Sequence, residues 1–109
     1  MCRALKVLCV ADGEEALAAL KRATVSAEWE LAPGATTQEE ALAQLDRERP
    51  HMVVAFGDQE AFVAAARKAY PALRIVTDRD LPGATGVATS LDEVRGALRA
   101  LPRPGGPVL

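Results

Sequence analysis

The chain alternates between short apolar runs and segments with helical spacing. Residues 5–11 (LKVLCVA) and 52–56 (MVVAF) are almost wholly apolar and end at Asp-Gly and Gly-Asp pairs, which predicts strands buried on both faces of a sheet. Residues 25–32 instead place Val, Ala, Trp and Leu at every second position, a pattern typical of an edge strand with one wetter face. Short strands are also expected at residues 73–77 and 85–88.

Helical spacing follows most of the predicted strands. Apolar residues recur three or four positions apart in residues 14–23, 37–49 and 58–70, which indicates amphipathic helices. A last helix is expected after the fifth strand, with its apolar positions at Leu91, Val94, Leu98 and Leu101. The predicted capping pairs are Asp12 with Glu15, Thr37 with Glu40 and Ser90 with Glu93, and Asp58 is the predicted cap of the third helix.

Alternating strands and helices predict an α/β fold with helices on both faces of a parallel sheet. With five strands, we expect the flavodoxin-like three-layer sandwich with strand order 2-1-3-4-5. Residues 78–83 (DRDLPG) have the composition of a loop, so the helix between strands 4 and 5 should be missing or very short. We expect one domain over residues 1–101, followed by a flexible tail or linker at 102–109 (PRPGGPVL).

Composition narrows the class of protein. A chain of 109 residues with 26% charged residues and a net charge of -2 is neither disordered nor suited to binding nucleic acid through a basic field. No apolar run approaches the roughly 20 residues of a membrane-spanning helix, and Arg3 interrupts the start too early for a secretory signal. We therefore expect a cytoplasmic protein with no membrane association and no direct contact with nucleic acid.

Common catalytic and metal-binding patterns are missing from the sequence. Cys9 lies in an apolar run and is expected to be a buried, inert thiol. There is a single histidine, His51, and no Cys-x-x-Cys pair, which argues against a zinc site. No nucleophile is paired with a base in the sequence, so we expect a protein that is not an enzyme.

Three stretches resemble the receiver domain of response regulators. Residues 35–56 (ATTQEEALAQLDRERPHMVVAF) look like its second helix and third strand, residues 5–12 like its first strand, and residues 83–87 (GATGV) like the turn before its fifth strand. The resemblance implies the flavodoxin-like fold given above. It also implies a full helix between strands 4 and 5, which this chain is too short there to form.

The resemblance further implies a phosphorylation site. This chain lacks some of the acidic residues that such a site needs. In receivers an acidic pair after the first strand holds magnesium, and an aspartate at the end of the third strand accepts the phosphoryl group. Here the pair position reads Ala11-Asp12, and the acceptor position falls on Phe56, whose phenyl ring cannot take phosphate. Asp58, two residues further on, is a candidate substitute acceptor.

Receivers bind the phosphate with two groups, and this chain has only one of them. Thr77 matches the position of the threonine or serine after the fourth strand. The lysine position falls near Thr89 or Ser90, and no lysine occurs after Lys68. The lysine cation that binds the phosphate in this family is therefore missing.

Three functional hypotheses follow. The first is a degenerate receiver, a pseudo-receiver that acts through protein-protein interaction in bacterial signal transduction or transcriptional regulation, with no cofactor. The second is an atypical phosphoacceptor that uses Asp58 with Asp12, Thr77 and magnesium. The third is a small ligand-binding module with its site at the carboxyl ends of the strands, where a residual acidic pocket would comprise Asp12, Asp58, Thr77 and Asp78 with no nearby cation.

The short connection between strands 4 and 5 should also leave one flank of the sheet uncovered. Its apolar residues are candidates for contact with a protein partner or for self-association as a homodimer. The alternative is that the loop or the tail folds over this flank. The candidate interface residues are Leu81, Val87, Leu91 and Leu98.

Overall fold

The computed structural model describes residues 5–101, so the tail expected at 102–109 lies outside the described residues. The strands and helices follow one another as the sequence predicts. They are β1 (Leu5–Val10), α1 (Glu14–Thr24), β2 (Trp29–Leu31), α2 (Gln38–Glu48), β3 (Met52–Ala55), α3 (Glu60–Ala69), β4 (Arg74–Thr77), β5 (Gly86–Val87), a 3-10 turn (Leu91–Glu93) and α4 (Val94–Ala100).

The strands form a single parallel sheet in the order β2-β1-β3-β4-β5. This confirms the predicted flavodoxin-like order and places β2 at one edge and β5 at the other. In the centre of the sheet, Val10 pairs with Ala55 and Ala55 pairs with Thr77. Because these last residues of three strands lie side by side, the loops that follow them emerge at the same edge of the sheet.

The core consists of two layers, one on each face of the sheet. Leu8 and Val10 of β1 belong to the layer under α2 and α3, whereas Val7 and Cys9 belong to the layer under α1 and α4. All four side chains are at most 1% exposed. The uninterrupted apolar run is thus explained by burial on both faces, since successive side chains of a strand point to opposite sides.

Three of the four predicted helix caps make no side-chain capping bond, although Ser90 does stand at the N-cap of the 3-10 turn. Gly13, not Asp12, is the N-cap of α1, and Gln59, not Asp58, is the N-cap of α3; neither helix has a side-chain capping bond. Ser90 also makes no capping bond. Asp12 instead accepts hydrogen bonds from the loop after β3, as described below, so tertiary contacts have displaced the local capping role.

The cap of α2 is confirmed. The hydroxyl oxygen of Thr37 accepts a hydrogen bond of 3.2 Å from the N–H of Glu40. The carboxylate of Glu40 reaches one residue further back than in a standard capping box and accepts from the N–H of Thr36 at 3.3 Å. The helix ends at Arg49, which adopts a left-handed conformation with φ 50° before Pro50.

Strand β2 is shorter than the predicted 25–32. Residues Ser26 and Trp29 form an isolated antiparallel bridge, and the N–H of Glu28 donates to the Ser26 hydroxyl at 3.1 Å. These bonds close a turn where the alternating pattern predicted extended chain. Trp29 packs into the core at 6% exposed and donates its indole N–H to the carbonyl of Thr24 at 2.7 Å.

The connection between β4 and β5 contains no helix, as predicted. None of the helices within residues 5–101 is long and apolar enough to cross a membrane.

Candidate functional site

Three loops meet at the carboxyl ends of the strands, where the sequence places the candidate site. We call it the rim and define it by Asp12, the loop of residues 56–59, Thr77, and Asp78 with Arg79. These residues follow Val10, Ala55 and Thr77, which lie in register across β1, β3 and β4. The sheet therefore brings together side chains that are up to 67 positions apart in the chain.

Asp12 is bonded to the loop that follows β3. Its Oδ1 accepts a hydrogen bond of 2.8 Å from the side-chain amide of Gln59, and its Oδ2 accepts one of 3.4 Å from the backbone N–H of Asp58. The Gln59 amide also donates to the Phe56 carbonyl at 3.2 Å. Both carboxylate oxygens of Asp12 are thus engaged by the protein itself.

Gly57 makes this close contact possible. Its φ of +96° lies in the left-handed region, and a Cβ built on its backbone would overlap the Asp12 carboxylate. Only a residue without a side chain lets Asp12 reach the N–H groups of the loop.

Asp78 holds the same loop from the β4 side. Its Oδ2 accepts a hydrogen bond of 3.0 Å from the N–H of Gly57. The loop after β3 is therefore bonded to one carboxylate at β1 and another at β4, which makes three strands share one hydrogen-bonded rim.

The expectation of an acidic pocket with no nearby cation is wrong. The guanidinium of Arg79 forms an ion pair with Asp78, with Nε 3.0 Å from Oδ1. The hydrogen bond to Asp78 raises the pKa of Arg79, and the charges of Asp58 and Asp12 raise it further. The sequence placed Arg79 in a charged loop, but only the fold shows that its charge faces the rim acids.

Thr77 is fully buried at the end of β4. Its hydroxyl donates a hydrogen bond to the carbonyl of Arg79. The side chain therefore stabilises the turn into the rim loop, and its single proton is already donated.

Phe56 directly follows β3, at the acceptor position that the resemblance implies. Its N–H donates to the Val10 carbonyl at 2.9 Å, and its half-buried ring packs against the core layer under α1 and α4. At the acceptor position that the resemblance implies, the chain thus has an apolar side chain that packs against the core.

The rim offers few free oxygen ligands for a magnesium ion. Magnesium needs several oxygen ligands in octahedral geometry, and no group of three or more acidic, histidine or cysteine side chains within residues 5–101 is arranged to hold a metal. Ala11 and Phe56 supply no oxygen ligand, and the Asp12 oxygens already accept hydrogen bonds from N–H groups.

The position of the missing lysine is occupied by a local hydrogen-bonded turn. The N–H and the hydroxyl of Thr89 donate to Glu93 Oε1 at 2.9 and 3.0 Å. Glu93 therefore reaches back to Thr89 rather than to Ser90, and the group that it brings to this end of β5 is acidic instead of basic.

The short connection between β4 and β5 folds against α3. Arg67 of α3 donates to the Gly83 carbonyl at 2.6 Å and to the Thr85 hydroxyl at 3.1 Å, and Leu81 packs half-buried against the core under α2 and α3. The loop thus covers much of the flank that the missing helix would have left bare.

Two apolar side chains remain exposed beside β5. Val87 is 41% and Leu91 38% exposed. Leu98, predicted as part of the interface, is only 2% exposed and belongs to the core, because α4 packs against both β4 and α1. We use the name β5 flank for Val87 and Leu91, the two exposed members of the predicted interface.

Cys9 is remote from this chemistry. It is 1% exposed, and its thiol donates to the hydroxyl of Thr24 at 3.6 Å. The predicted burial of Cys9 is confirmed, and burial raises the pKa of its thiol to about 11, which favours an unreactive thiol.

Gln59 was missed from the sequence, and no local signal could have found it. Its amide meets Asp12 across 47 positions of chain, and its burial at 7% exposed follows from that contact. Gln59 stands between Asp58 and Glu60, and no sequence pattern marks it as a site residue.

No protein-family model matches the sequence, and no curated protein matches it. Solved structures do. Chemotaxis response regulator CheY4 of Vibrio cholerae is similar with a TM-score of 0.76 and 21% identity, covering 91% of this chain and 99% of that chain. The signal receiver domain of an HD domain-containing protein from Pseudomonas fluorescens has a TM-score of 0.73 and 19% identity, covering 91% and 94%. The response regulator domain of Thermotoga maritima CheB has a TM-score of 0.71 and 15% identity, covering 92% and 100%.

These likenesses extend over nearly the whole chain at low sequence identity. Together with the strand order and the three-layer packing, they establish the architecture. The chain has the CheY-like receiver fold of response regulators, a flavodoxin-like sandwich, in a form without the helix between β4 and β5.

Proposed function

We propose that this chain is a pseudo-receiver, a receiver-like signalling domain that lacks the phosphoacceptor aspartate. It acts through protein-protein interaction in bacterial signal transduction or transcriptional regulation, in the cytoplasm and without catalysis. The observation that carries the proposal is Phe56, an apolar residue packed against the core at the acceptor position.

The hydrogen bonds of the rim support the loss of the switch. A phosphoryl group at the end of β3 would need a magnesium ion and a cation to neutralise it. Here Asp12 is bonded to Gln59 and Asp58, and Asp78 is bonded to Gly57 and Arg79. The donors and acceptors that would contact a phosphoryl group are instead hydrogen-bonded to one another.

A rim bonded in this way favours one conformation of the loop after β3. A conformational response needs a ligand that binds two states differently, and the carboxylates of Asp12 and Asp78 already accept hydrogen bonds in the state described. Regulation of this domain would therefore come from a partner or from oligomerisation rather than from covalent modification.

The β5 flank supports the interaction part of the proposal. Val87 and Leu91 are two of the three large apolar side chains that are substantially exposed within residues 5–101. Val87 belongs to β5, an edge strand of the sheet that residues 5–101 form, and Leu91 follows it by four positions. Exposed apolar groups next to unpaired strand backbone are typical of association surfaces. We infer that a protein partner or a second copy of the chain binds here.

Incubation with acetyl phosphate and magnesium, followed by intact-mass measurement, tests the proposal. The expected result is no gain of a phosphoryl group under conditions in which an active receiver domain is labelled. An Asp58→Asn variant is incubated and measured in parallel with the wild type.

Labelling of the wild type that disappears in the Asp58→Asn variant would contradict the proposal. It would establish the second hypothesis, in which Asp58 accepts phosphate with help from Asp12, whose Oδ2 it already contacts through its backbone N–H.

A further inference from the structure

A groove lies at the end of the sheet opposite the rim. It is bounded by the last turns of α2 and α3 and by the starts of β3 and β4, and its volume is about 410 Å³. Since β3 begins here at Met52 and reaches the rim only after Ala55, the groove and the rim share no residue. Nothing in the proposed signalling role assigns a function to it.

The floor of the groove is apolar. Leu45 and Leu73, at 2% and 7% exposed, line it together with Tyr70 and two prolines. The Tyr70 hydroxyl is held by a bond of 3.2 Å to the Asp46 carboxylate. A flat hydrocarbon body could lie against these side chains, and a volume of this size falls within the roughly 300–1,000 Å³ typical of small-molecule sites.

Two arginines give the groove a positive charge. Arg49 and Arg74 both line it, and no acidic residue does. Neither arginine forms an ion pair within residues 5–101. An unpaired guanidinium that is partly buried beside an apolar wall is costly, because the low-dielectric surroundings weaken its solvation. This applies to Arg74, whereas Arg49 is exposed and donates its Nε to the Asp46 carbonyl at 3.1 Å.

Arg74 shows that cost most clearly. Its Nη1 donates to the Ala72 carbonyl at 3.0 Å, which holds the guanidinium in place. Its Nε is buried and has no hydrogen-bond partner in the part of the chain that the structure describes. Buried donors are nearly always paired, so the Nε of Arg74 is a donor that the described part of the chain leaves unsatisfied.

His51 adds a further hydrogen-bond donor to the same wall. Its Nδ1 accepts a hydrogen bond of 3.0 Å from the N–H of Lys6. A ring nitrogen that accepts carries no proton, so the donor atom of the ring is Nε2. His51 lines the groove and can donate to a ligand through that atom.

We propose that this groove binds a small organic carboxylate with a flat apolar body. The carboxylate would be neutralised by Arg49 and Arg74, and the body would lie against Tyr70, Leu45 and Leu73. Arginine is suited to this role because its planar fork of N–H donors matches the two oxygens of a carboxylate. The mainly apolar lining favours such a ligand over a phosphate or a nucleotide.

An amide NMR titration of the 109-residue chain with 2-naphthoate tests the site. The expected result is saturable shifts at the amides of Arg49, His51, Tyr70 and Arg74. The neutral 2-naphthamide has the same shape, and it should bind at least about tenfold more weakly, the usual cost of losing a hydrogen bond to a charged group. Equal binding of the two compounds, or no saturable shift with 2-naphthoate, would overturn the proposal.

Substitutions of the two groove arginines test whether they neutralise the carboxylate of the ligand. Arg74→Gln and Arg49→Asn should each weaken 2-naphthoate by about tenfold; asparagine tolerates the left-handed backbone at position 49. Arg47→Gln removes a neighbouring arginine outside the groove and should leave the affinity unchanged. Unchanged affinity in both groove variants would refute the site, and if one variant fails to fold, the other still decides.

A glutamate-rich peptide is the competing occupant. Saturable binding of such a peptide, with the same dependence on Arg49 and Arg74 but no response to 2-naphthoate, would overturn the small-ligand proposal in favour of protein docking. Phosphorylation of the chain at the rim would leave these outcomes unaffected, so the two proposals fail separately.

Discussion

The side-chain amide of Gln59 donates a hydrogen bond of 2.8 Å to Oδ1 of Asp12. Gln59 caps the start of α3 and Asp12 follows β1, so this one bond ties the loop after the central strand to its neighbour. It uses an oxygen that a receiver would turn toward magnesium. Of the rim contacts, this one most directly supports the proposed loss of the switch.

Replacing Gln59 with leucine removes the donor while keeping a similar volume. We expect the free energy of unfolding to fall by about 0.5–1.5 kcal/mol, the typical net contribution of one hydrogen bond. Chemical denaturation measures this, and amide exchange at Asp58 should accelerate because the loop loses its link to Asp12. Gln38→Leu, on an exposed position of α2, is the control. Equal stability of the two variants would show that the Asp12 bond contributes nothing.

Gly57→Ala should disrupt the rim. The φ of +96° strains any other residue, and the added Cβ would overlap the Asp12 carboxylate. We expect a loss of about 1–3 kcal/mol in the free energy of unfolding. Gly13→Ala is the matched control, since Gly13 has extended backbone and a Cβ added there would have nothing within 4 Å. A loss no larger at Gly57 than at Gly13 would contradict the close contact.

The buried thiol of Cys9 predicts a pH dependence of stability. Its pKa is raised from 9.0 to about 11, so the folded state holds the proton more tightly than the unfolded state. The stabilisation is fully present below pH 9.0 and is lost as pH rises through about 11, by up to about 2–3 kcal/mol. Denaturation curves of a Cys2→Ser parent and its Cys9→Ala derivative should diverge in slope over this range. Parallel slopes would show that the thiol titrates normally.

Glutamate at Val87 or Leu91 should prevent association at the β5 flank. Both side chains are exposed, so each variant should stay within about 0.5 kcal/mol of the wild-type stability. Any concentration-dependent self-association measured by sedimentation should weaken by about tenfold or more. Val25→Glu is the matched control, because Val25 is 54% exposed and precedes the opposite edge strand. Association that is lost equally in the control would place the interface elsewhere.

The sequence predicted the fold because the central strands leave a strong pattern. β1 and β3 are buried on both faces, so their apolar runs are uninterrupted and their positions follow directly. The short link between β4 and β5 was equally visible, since six residues of loop composition cannot form a helix of several turns.

The details of the rim could not be predicted, because they depend on contacts between distant residues. Asp12 and Asp58 each have the local signature of a helix cap, yet Asp12 bonds across 46 and 47 positions instead. Leu98 has the helical spacing of an apolar face, but spacing does not tell how far α1 and β4 cover that face. The position of the Arg79 guanidinium beside Asp78 depends on the turn after β4, which the sequence pattern does not define.

The most direct test of the lost switch is an amide NMR titration with magnesium, followed by magnesium with beryllofluoride, a mimic of the acyl phosphate. Because Phe56 offers no carboxylate and the Asp12 oxygens are already bonded, we predict an unchanged spectrum at millimolar magnesium and no further change with beryllofluoride. Saturable shifts clustered at Asp12, Asp58 and Thr77 would contradict this account and show that a working phosphorylation site survives at the rim.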